Sequence, residues 1–252
     1  MSPGNAWLEA ACRNLLPRSA AKTLHEAIPE WDFLNRVQDY GDLRVTCELC
    51  EQEDLRWHYE ISNHLTHYIL QIGSRCIIRF NVAIFDENGR RVDRMDAEKQ
   101  LAKARDKYIG DSCIKALTVL VAVRRAEVFR HALEYYMEHN ALTPKFAYIA
   151  LSTLRDHRIP HRPDYFKITL RKLRRKDDLA AMDSAHVHVI WPALSRLQRD
   201  LAIEYGHTAP VIVQTPVRHM TDKAGGHSYE ALIANKWTDA LLVEHGLMAI
   251  SS

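Results

Sequence analysis

The chain has 252 residues, of which 47% are apolar and 26% charged, and its formal net charge is only +2. This composition is ordinary for a folded globular protein and excludes a disordered or collagen-like chain. Because 34 Lys and Arg residues are nearly balanced by 32 Asp and Glu residues, the whole molecule is not a polycation. An argument for nucleic-acid binding must therefore rest on where the charges lie.

The first residues of the chain lack the basic segment and apolar core of a secretory signal. The longest apolar run, 117–123, is far shorter than the roughly 20 residues that span a bilayer. Three of the five cysteines fall between positions 47 and 76, a pattern that favours metal binding over disulfides in a chain without an export signal. We expect a protein of the reducing cytoplasm with no membrane partner.

Residues 43–90 differ in character from the helical patterns that precede and follow them. Residues 5–36 have apolar positions at helical spacing and predict helix, with a break at Pro17. Two segments in which apolar and polar residues alternate, 55–61 and 68–72, are joined by a turn-like sequence and predict a β-hairpin. From about Met95 the pattern becomes helical.

The predicted helices after that point differ in the strength of their signals. An apolar stripe over 114–136 predicts a long helix. Thr143 is a candidate N-cap, and Pro144 suits the first helical position, so a helix should begin there. The remaining predicted elements are a short helix at 195–205, a strand at 210–217 and a helix at 228–245.

Three cysteines have the spacing of a metal site. Cys47 and Cys50 form a C-x2-C pair, which lets two thiolates share one tetrahedral ion from a tight turn. Ser74 is a natural N-cap that would place Cys76 in the first turn of a helix, where the helix dipole favours a thiolate. Knuckle, hairpin and helix start in this order predict a treble-clef-like zinc module. The alternative is that these cysteines are small buried residues without a metal.

The fourth ligand of this site has no obvious position. A treble clef usually takes it from the same helical turn as the third ligand, but that position is Arg79. His58, on the polar side of the first hairpin strand, is the candidate, and His64 and His67 are alternatives. Because three or four protein ligands close such a site to substrate, we expect a structural zinc ion.

These elements predict an α+β, mostly helical protein. We expect an N-terminal helical segment at 1–42 and a zinc-knuckle β-hairpin module at 43–94. A helical, basic region that contacts nucleic acid should occupy 95–252. The zinc module is then flanked by the helical body.

The zinc module carries a resemblance. Segment 47–80 begins Cys-Glu-Leu-Cys, has Ile61-Ser-Asn63 at the entry to the turn and ends Gly73-Ser-Arg-Cys-Ile77. It resembles a zinc-knuckle motif of phage, plasmid and other mobile-element proteins, and stretch 142–193 is similar to a basic helical region that accompanies this motif. The resemblance implies a DNA or RNA transaction in a mobile element and no particular catalytic residue. A glycine common in that motif is replaced by His67.

Cations are concentrated in one later stretch of the chain. On a helix, residues 167, 171, 174 and 175 would share one face, and such a face is suited to neutralising phosphates. A solvated face without a partner is the alternative. The predicted nucleic-acid contacts are Arg155, Arg158, Arg162, Lys167, Arg171, Lys172, Arg174, Arg175 and Lys176, with a second cluster of Arg90, Arg91 and Arg94 extending the same surface.

The sequence contains no phosphate-binding glycine loop, dinucleotide fingerprint or nucleophile elbow. We therefore predict a non-enzymatic zinc protein that binds nucleic acid as a subunit of a larger complex. A narrower version is a component similar to the large subunit of a plasmid-borne, RNA-guided effector of the type IV CRISPR kind. Two other classes stay open: a metal-free RNase that uses Arg125 and His131, and a protein–protein adaptor.

Overall fold

The computed structural model describes residues 6–211, and every structural statement below concerns that range. Three strands form an antiparallel sheet in the order β1 (Trp31–Asp39), β2 (Trp57–Asn63) and β3 (Ile69–Ile72). The α-helices are α1 (Ala6–Leu15), α2 (Leu24–Ala27), α3 (Ser74–Phe80), α4 (Ala97–Arg124), α5 (Glu127–His139), α6 (Pro144–Asp156), α7 (Leu173–Ala180), α8 (Ser184–Ile190) and α9 (Arg196–Glu204). The fold is α+β and mostly helical, as predicted. None of the described helices has both the length and the apolar character needed to cross a bilayer.

The described residues group into two compact units, 6–108 and 109–211. The boundary falls within α4. The first unit contains the whole sheet and the three clustered cysteines, and the second contains α5 to α9. The predicted division into segments 1–42, 43–94 and 95–252 stays a prediction.

The sequence predicted helix over residues 5–36, and this prediction is wrong for the last part of the segment. The helix α1 ends before Pro17, and the chain becomes extended at Trp31 to form β1. There Phe33 pairs with Ile61 of β2, and a bulge with Asn35 at φ +55° separates this pairing from that of Val37. Burial of Trp31 and Phe33 against the sheet outweighs the helical spacing of the local sequence.

The predicted β-hairpin is confirmed. Strands β2 and β3 pair with Tyr59 opposite Ile72 and Ile61 opposite Leu70. These four side chains are buried and belong to the core of the first unit, which also contains both Cys47 and Cys76. The two alternating segments therefore form paired strands, but His58, which the alternation placed on the polar side of the first strand, is buried.

The helices α1 and α3 pack together through an aromatic contact. The ring of Trp7 on α1 lies 5.4 Å from that of Phe80 on α3, centroid to centroid. The guanidinium of Arg79 lies 4.5 Å from the centre of the same Trp7 ring. Arg79 is therefore used in a cation–π contact at the position where a treble clef usually has its fourth ligand.

A buried carboxylate connects the helical N-terminal segment to the sheet. Glu30 is only 6% exposed, and it accepts hydrogen bonds from the backbone amides of Ala20 at 2.8 Å and Ala21 at 2.7 Å. It also accepts one from Nδ2 of Asn63, the last residue of β2, at 2.7 Å. The Asn63 side chain in turn accepts from the amides of Leu65 and Thr66 and so shapes the hairpin turn.

In the second unit, the helix predicted over 114–136 is two helices. The helix α4 ends at Arg124, Arg125 takes a left-handed conformation with φ +46°, and α5 begins at Glu127. The helix predicted after Thr143 is confirmed: the Thr143 side chain accepts from the amide of Phe146. The helix predicted at 195–205 is confirmed as α9, with a capping box of Ser195 and Gln198. The elements predicted at 210–217 and 228–245 lie wholly or mostly beyond residue 211.

Candidate metal centre and cationic surface

The first two cysteines lie on a tight turn. The amide of Cys47 donates to the carbonyl of Gln52 at 2.9 Å, and the carbonyl of Cys47 accepts from the amide of Glu51, whose φ is +60°. Contacts from α1 support this turn, because Asn14 donates to the carbonyl of Leu49 at 3.2 Å and Arg13 pairs with Glu51 at 2.8 Å. The C-x2-C spacing therefore forms the knuckle that the sequence predicted.

The third cysteine lies in the first turn of α3. The sequence suggested Ser74 as the N-cap of this helix, but the N-cap is Gly73, and no side chain caps the helix. The backbone here is still extended at Gly73, and its amide donates to Sγ of Cys47 at 3.4 Å. A side chain at this position would meet Leu55, since a Cβ would lie 3.0 Å from its Cδ1. The glycine thus lets β3 turn into α3 directly beside the sulfur of Cys47.

The three sulfur atoms converge. Cys76 Sγ lies 3.1 Å from Cys50 Sγ and 3.7 Å from Cys47 Sγ, and all three lie within 4.8 Å of one another. Two thiolates on one tetrahedral zinc ion lie about 3.8 Å apart if each Zn–S bond is about 2.3 Å. Cys47 and Cys76 are buried and Cys50 is partly buried. Within residues 6–211, this cluster is the group of potential ligands that is compact enough to hold a metal ion.

Hydrogen bonding within the cluster separates the acidities of its thiols. The pKa of Cys47 is lowered, chiefly because the Cys76 thiol hydrogen-bonds to it; burial opposes this, and the amides of Cys50, Gly73 and Leu49 add to the lowering. The pKa of Cys76 is raised by the same bond to Cys47 and by burial. The bond between these two thiols therefore shifts their pKa values in opposite directions, and a bound cation would favour the thiolate form of both.

The candidate fourth ligand, His58, lies outside this group. Its ring is 4% exposed, packs edge-on against Tyr40 at 5.1 Å, and has no hydrogen-bond partner for either nitrogen. Burial lowers the pKa of His58 to about 4, and the neighbouring backbone of Thr46 opposes this only in part. A neutral, buried imidazole therefore lies next to the residue that precedes Cys47. The assignment of His58 as the fourth ligand stays a prediction.

The two alternative histidines also lie outside the cluster. His64 Nδ1 is 3.2 Å from a carboxylate oxygen of Asp32. His67 follows the hairpin turn with φ +61°, in the left-handed region that a glycine occupies at no steric cost. The structure therefore brings together the three predicted cysteines and none of the three histidines considered with them.

The basic stretch is not a single helix. Residues 166–171 lie outside any helix and pair with Leu142 through a bridge at Ile168: the carbonyl of Lys167 accepts from the amide of Leu142 at 2.7 Å, and the amide of Thr169 donates to the carbonyl of Leu142 at 2.9 Å. This pairing buries Ile168 and leaves Lys167 exposed, and α7 begins only at Leu173. The prediction that residues 167, 171, 174 and 175 share one helical face is therefore wrong, because backbone pairing to Leu142 holds the first part of the stretch outside the helix.

The cations of this stretch are of two kinds. Three are held by acidic neighbours: Arg155 by Asp156 at 3.4 Å, Arg162 by Asp164 at 3.1 Å and Arg175 by Asp178 at 3.5 Å. The others are exposed and have no ion-pair partner within the described part of the chain, namely Arg158, Lys167, Arg171, Lys172, Arg174 and Lys176. These six side chains are available to an anionic partner.

The second predicted cluster of cations lies in the first unit. Arg90 pairs with Asp86 at 3.6 Å, and Arg91 donates to the carbonyl of Asn81 at 3.3 Å. Arg94 is exposed. The prediction that this cluster extends the cationic surface of the second unit stays a prediction.

The two residues of the RNase alternative lie in different parts of the helical second unit. Arg125 lies between α4 and α5, and His131 on α5 has its Nε2 3.7 Å from a carboxylate oxygen of Glu127. His186 and His188, two residues apart on α8, make different contacts: the ring of His186 stacks on Tyr148, and His188 hydrogen-bonds to the carbonyl of Thr208. These two histidines therefore do not face a common ligand.

The sequence analysis missed a group of stacked rings in the second unit. Tyr135 and His139 stack on α5, and Tyr148 of α6 stacks with His186 of α8. The spacing of four residues between Tyr135 and His139 is the signal from which the first stack was predictable, because such residues are neighbours on a helix. The second stack joins two helices, and local spacing does not indicate it.

Comparisons of the chain with protein-family models, with curated proteins and with solved structures found no match. The candidate functions therefore rest on the cysteine cluster, the exposed cations and the surfaces around them.

Proposed function

We propose that this protein holds one structural zinc ion and binds nucleic acid through the cationic stretch 155–176, without catalysing a reaction. The observation that carries the proposal is the set of six exposed cations between Arg158 and Lys176 that have no ion-pair partner in the described chain. From Arg158 to Lys176 the sequence has eight Lys and Arg residues and one acidic residue, Asp164. A surface of this kind is suited to phosphates, and guanidinium groups bind them in pairs of hydrogen bonds.

The zinc ion in this proposal has a structural role. The cysteine ligands come from the knuckle and from the start of α3, and the knuckle is bonded to α1 by Arg13 and Asn14 and to β3 by the amide of Glu48. An ion held by these sulfurs would tie together elements that are distant in sequence. His58 is the candidate for completing a Cys3His set, because it is a buried imidazole beside the backbone of Thr46 and neither of its nitrogens has a hydrogen-bond partner that meets normal geometry.

A role as a subunit of a larger assembly is supported by the tip of the hairpin. Leu65, Tyr68 and Ile69 are 57%, 53% and 50% exposed, which places three large apolar side chains at the surface of the first unit. Exposed apolar groups of this size suit a protein partner. Together with the resemblance to mobile-element zinc knuckles, this favours a subunit of a nucleic-acid-processing complex, with an RNA-guided effector of the type IV CRISPR kind as the narrower version.

The first test is the salt dependence of binding to DNA and RNA. Affinity for fluorescent oligonucleotides of about 20 residues is measured by anisotropy across a salt series, and log K should fall linearly with log salt concentration. Replacing Arg171, Arg174 and Lys176 by Gln should reduce the slope by about 0.7 per cation for single strands and about 0.9 for duplex, because each cation releases counterions from a phosphate.

A matched control replaces three cations that ion pairs already hold. Lys99→Gln, Lys103→Gln and Arg130→Gln change the net charge equally, and their side chains pair with Asp96, Glu87 and Glu127. The control should leave the slope nearly unchanged. Equal slopes for both triple variants, or no binding at low salt, would contradict the proposal. RNA cleavage that His131→Ala abolishes would overturn its non-catalytic part.

A further inference from the structure

Aromatic and imidazole rings form stacks in the second unit. Tyr135 and His139, one turn apart on α5, have ring centroids 4.0 Å apart and planes inclined by only 6°. The Tyr135 ring also contacts Phe146 of α6 at 5.8 Å. Tyr148, also on α6, stacks with His186 of α8, with ring centroids 3.8 Å apart. Rings on α5, α6 and α8 therefore form two stacked pairs, Tyr135 with His139 and Tyr148 with His186.

The end of the first stack is open to solvent. Tyr135 and Phe146 are partly buried, whereas the side chain of His139 is 40% exposed. The Tyr135 ring is covered on one face by His139, which leaves His139 as the terminal ring. The ring is positioned by its Nδ1, which lies 3.1 Å from the carbonyl of Tyr135. A planar ligand that stacks on His139 would extend an existing stack and need little side-chain ordering.

One guanidinium lies beside this stack. The guanidinium of Arg175 on α7 lies 5.8 Å from the centre of the Tyr135 ring. Arg175 pairs with Asp178, and Asp178 also holds Nζ of Lys145 on α6 at 2.7 Å. The acidic side chain beside the terminal ring is Glu138, 3.7 Å from His139.

The unpaired cations nearest in sequence to Arg175 belong to the same element. Arg174 and Lys176 are on α7, and Lys172 is its N-cap. The contact of Arg175 with Tyr135 places α7, which carries these cations, beside the ring stack. The stack and the cations of α7 are named together the ring–cation surface: Tyr135, His139, Phe146, Lys172, Arg174, Arg175 and Lys176.

We propose that the ring–cation surface binds single-stranded nucleic acid, with a base stacked on His139 and the adjoining phosphates on the cations of α7. This proposal rests on the proposed function and specifies its substrate class. Phosphate neutralisation alone does not distinguish a duplex from a single strand. Stacking on a protein ring does distinguish them, because bases within a duplex are already stacked on one another and only an unpaired base offers its face.

The test compares a single strand with a duplex of the same length. His139→Ala should weaken binding to oligothymidylate about tenfold, because stacking of one base contributes about 1–3 kcal/mol. Affinity for the duplex should stay unchanged. The slope of log K against log salt should also stay unchanged, because no cation that contacts a phosphate is removed. Tyr135→Leu, which keeps an apolar side chain against Phe146, should act in the same direction.

Three controls separate stacking from folding. His139→Tyr keeps a ring at the end of the stack and should retain single-strand affinity. His25→Ala and Tyr68→Leu, at exposed positions of the first unit, should have no effect. On a strand with abasic sites in place of bases, His139→Ala should also have no effect, since only the contact to the base is lost.

The outcomes distinguish the two proposals. Salt-dependent binding by the wild type that His139→Ala and Tyr135→Leu leave unchanged, or weaken equally for strand and duplex, would overturn the ring–cation proposal and leave the proposed function standing. Absence of binding by the wild type to both would overturn both proposals. Selective loss for the single strand, restored by His139→Tyr, is the result that we expect.

Discussion

At the scale of single residues, Glu30 shows how hydrogen bonding decides the charge state of a buried carboxyl group. Burial by itself raises the pKa of Glu30, but bonds from the Asn63 side chain and from the amides of Ala20 and Ala21 lower it by more, and its pKa lies below the ordinary value of 4.5. The carboxylate is thus ionised in the folded protein, and it satisfies three donors at once.

Glu30 should stabilise the protein in a pH-dependent way. Because its folded pKa is lowered, its contribution is fully present above about pH 4.5 and is lost as the pH falls through the folded pKa. Glu30→Gln should lower the free energy of unfolding at neutral pH by about 2–3 kcal/mol, because a charged acceptor is lost and an amide donor is added among donors.

Urea unfolding of Glu30→Gln at a series of pH values measures this effect. The difference from wild type should shrink as the solution is acidified below about pH 4.5. The exposed control Glu53→Gln should stay within about 0.5 kcal/mol of wild type. A difference for Glu30→Gln that is small at neutral pH, or that grows on acidification, would contradict this account.

At the scale of elements, the β2–β3 hairpin combines a favourable turn with one strained residue. The Asn63 side chain accepts from the amides of Leu65 and Thr66, which satisfies the turn. His67 then takes φ +61°, a conformation that a side chain with a Cβ adopts at a cost of about 1–2 kcal/mol. This is the position where the zinc-knuckle motif that the sequence resembles commonly has a glycine.

His67→Gly should therefore stabilise the hairpin. Relief of the left-handed strain exceeds the entropy that glycine adds to the unfolded chain, so we expect a gain of about 0.5–1 kcal/mol. Leu65→Gly is the matched control, because Leu65 is exposed in the same turn with no positive φ and should become less stable. Thermal melting of both variants measures the difference, and a lower melting temperature for His67→Gly would show that its side chain outweighs the strain.

At the scale of the whole molecule, the cysteine cluster lies in one of the two compact units. Its ligands come from positions separated by the entire hairpin, so an ion would close a loop that the chain alone holds by packing. The second unit has its own buried residues, among them Tyr136, Phe166 and Leu151. Loss of the metal should therefore act first on the first unit.

Elemental analysis should find about one zinc ion per chain. Cys47→Ser and Cys76→Ser should lose the metal and lower the melting temperature, because metal binding is coupled to folding. Cys12→Ser removes a thiol outside the cluster and should keep the metal. A chain that is fully folded and free of metal would contradict the zinc proposal. Weaker zinc binding by His58→Ala would support His58 as the fourth ligand, and unchanged binding would exclude it.

Several features of this protein were determined by the sequence alone, because each depends on residues close together in the chain. The C-x2-C spacing forms a knuckle, the alternation in 55–61 and 68–72 forms two strands, and Thr143 with Pro144 begins a helix. The α+β class follows from these local signals, and so does the selection of three cysteines as candidate metal ligands.

Other features were decided only by the tertiary structure, because pairing with distant residues overrides local preference. The segment at 31–36 has helical spacing and became a strand because β2 offered a partner, and residues 166–171 lie outside any helix because they pair with Leu142. Packing with distant residues also decided that Arg79 contacts Trp7 and that His58 is buried outside the cysteine cluster. The energy of burying a side chain against a partner far along the chain has no signature in the local pattern.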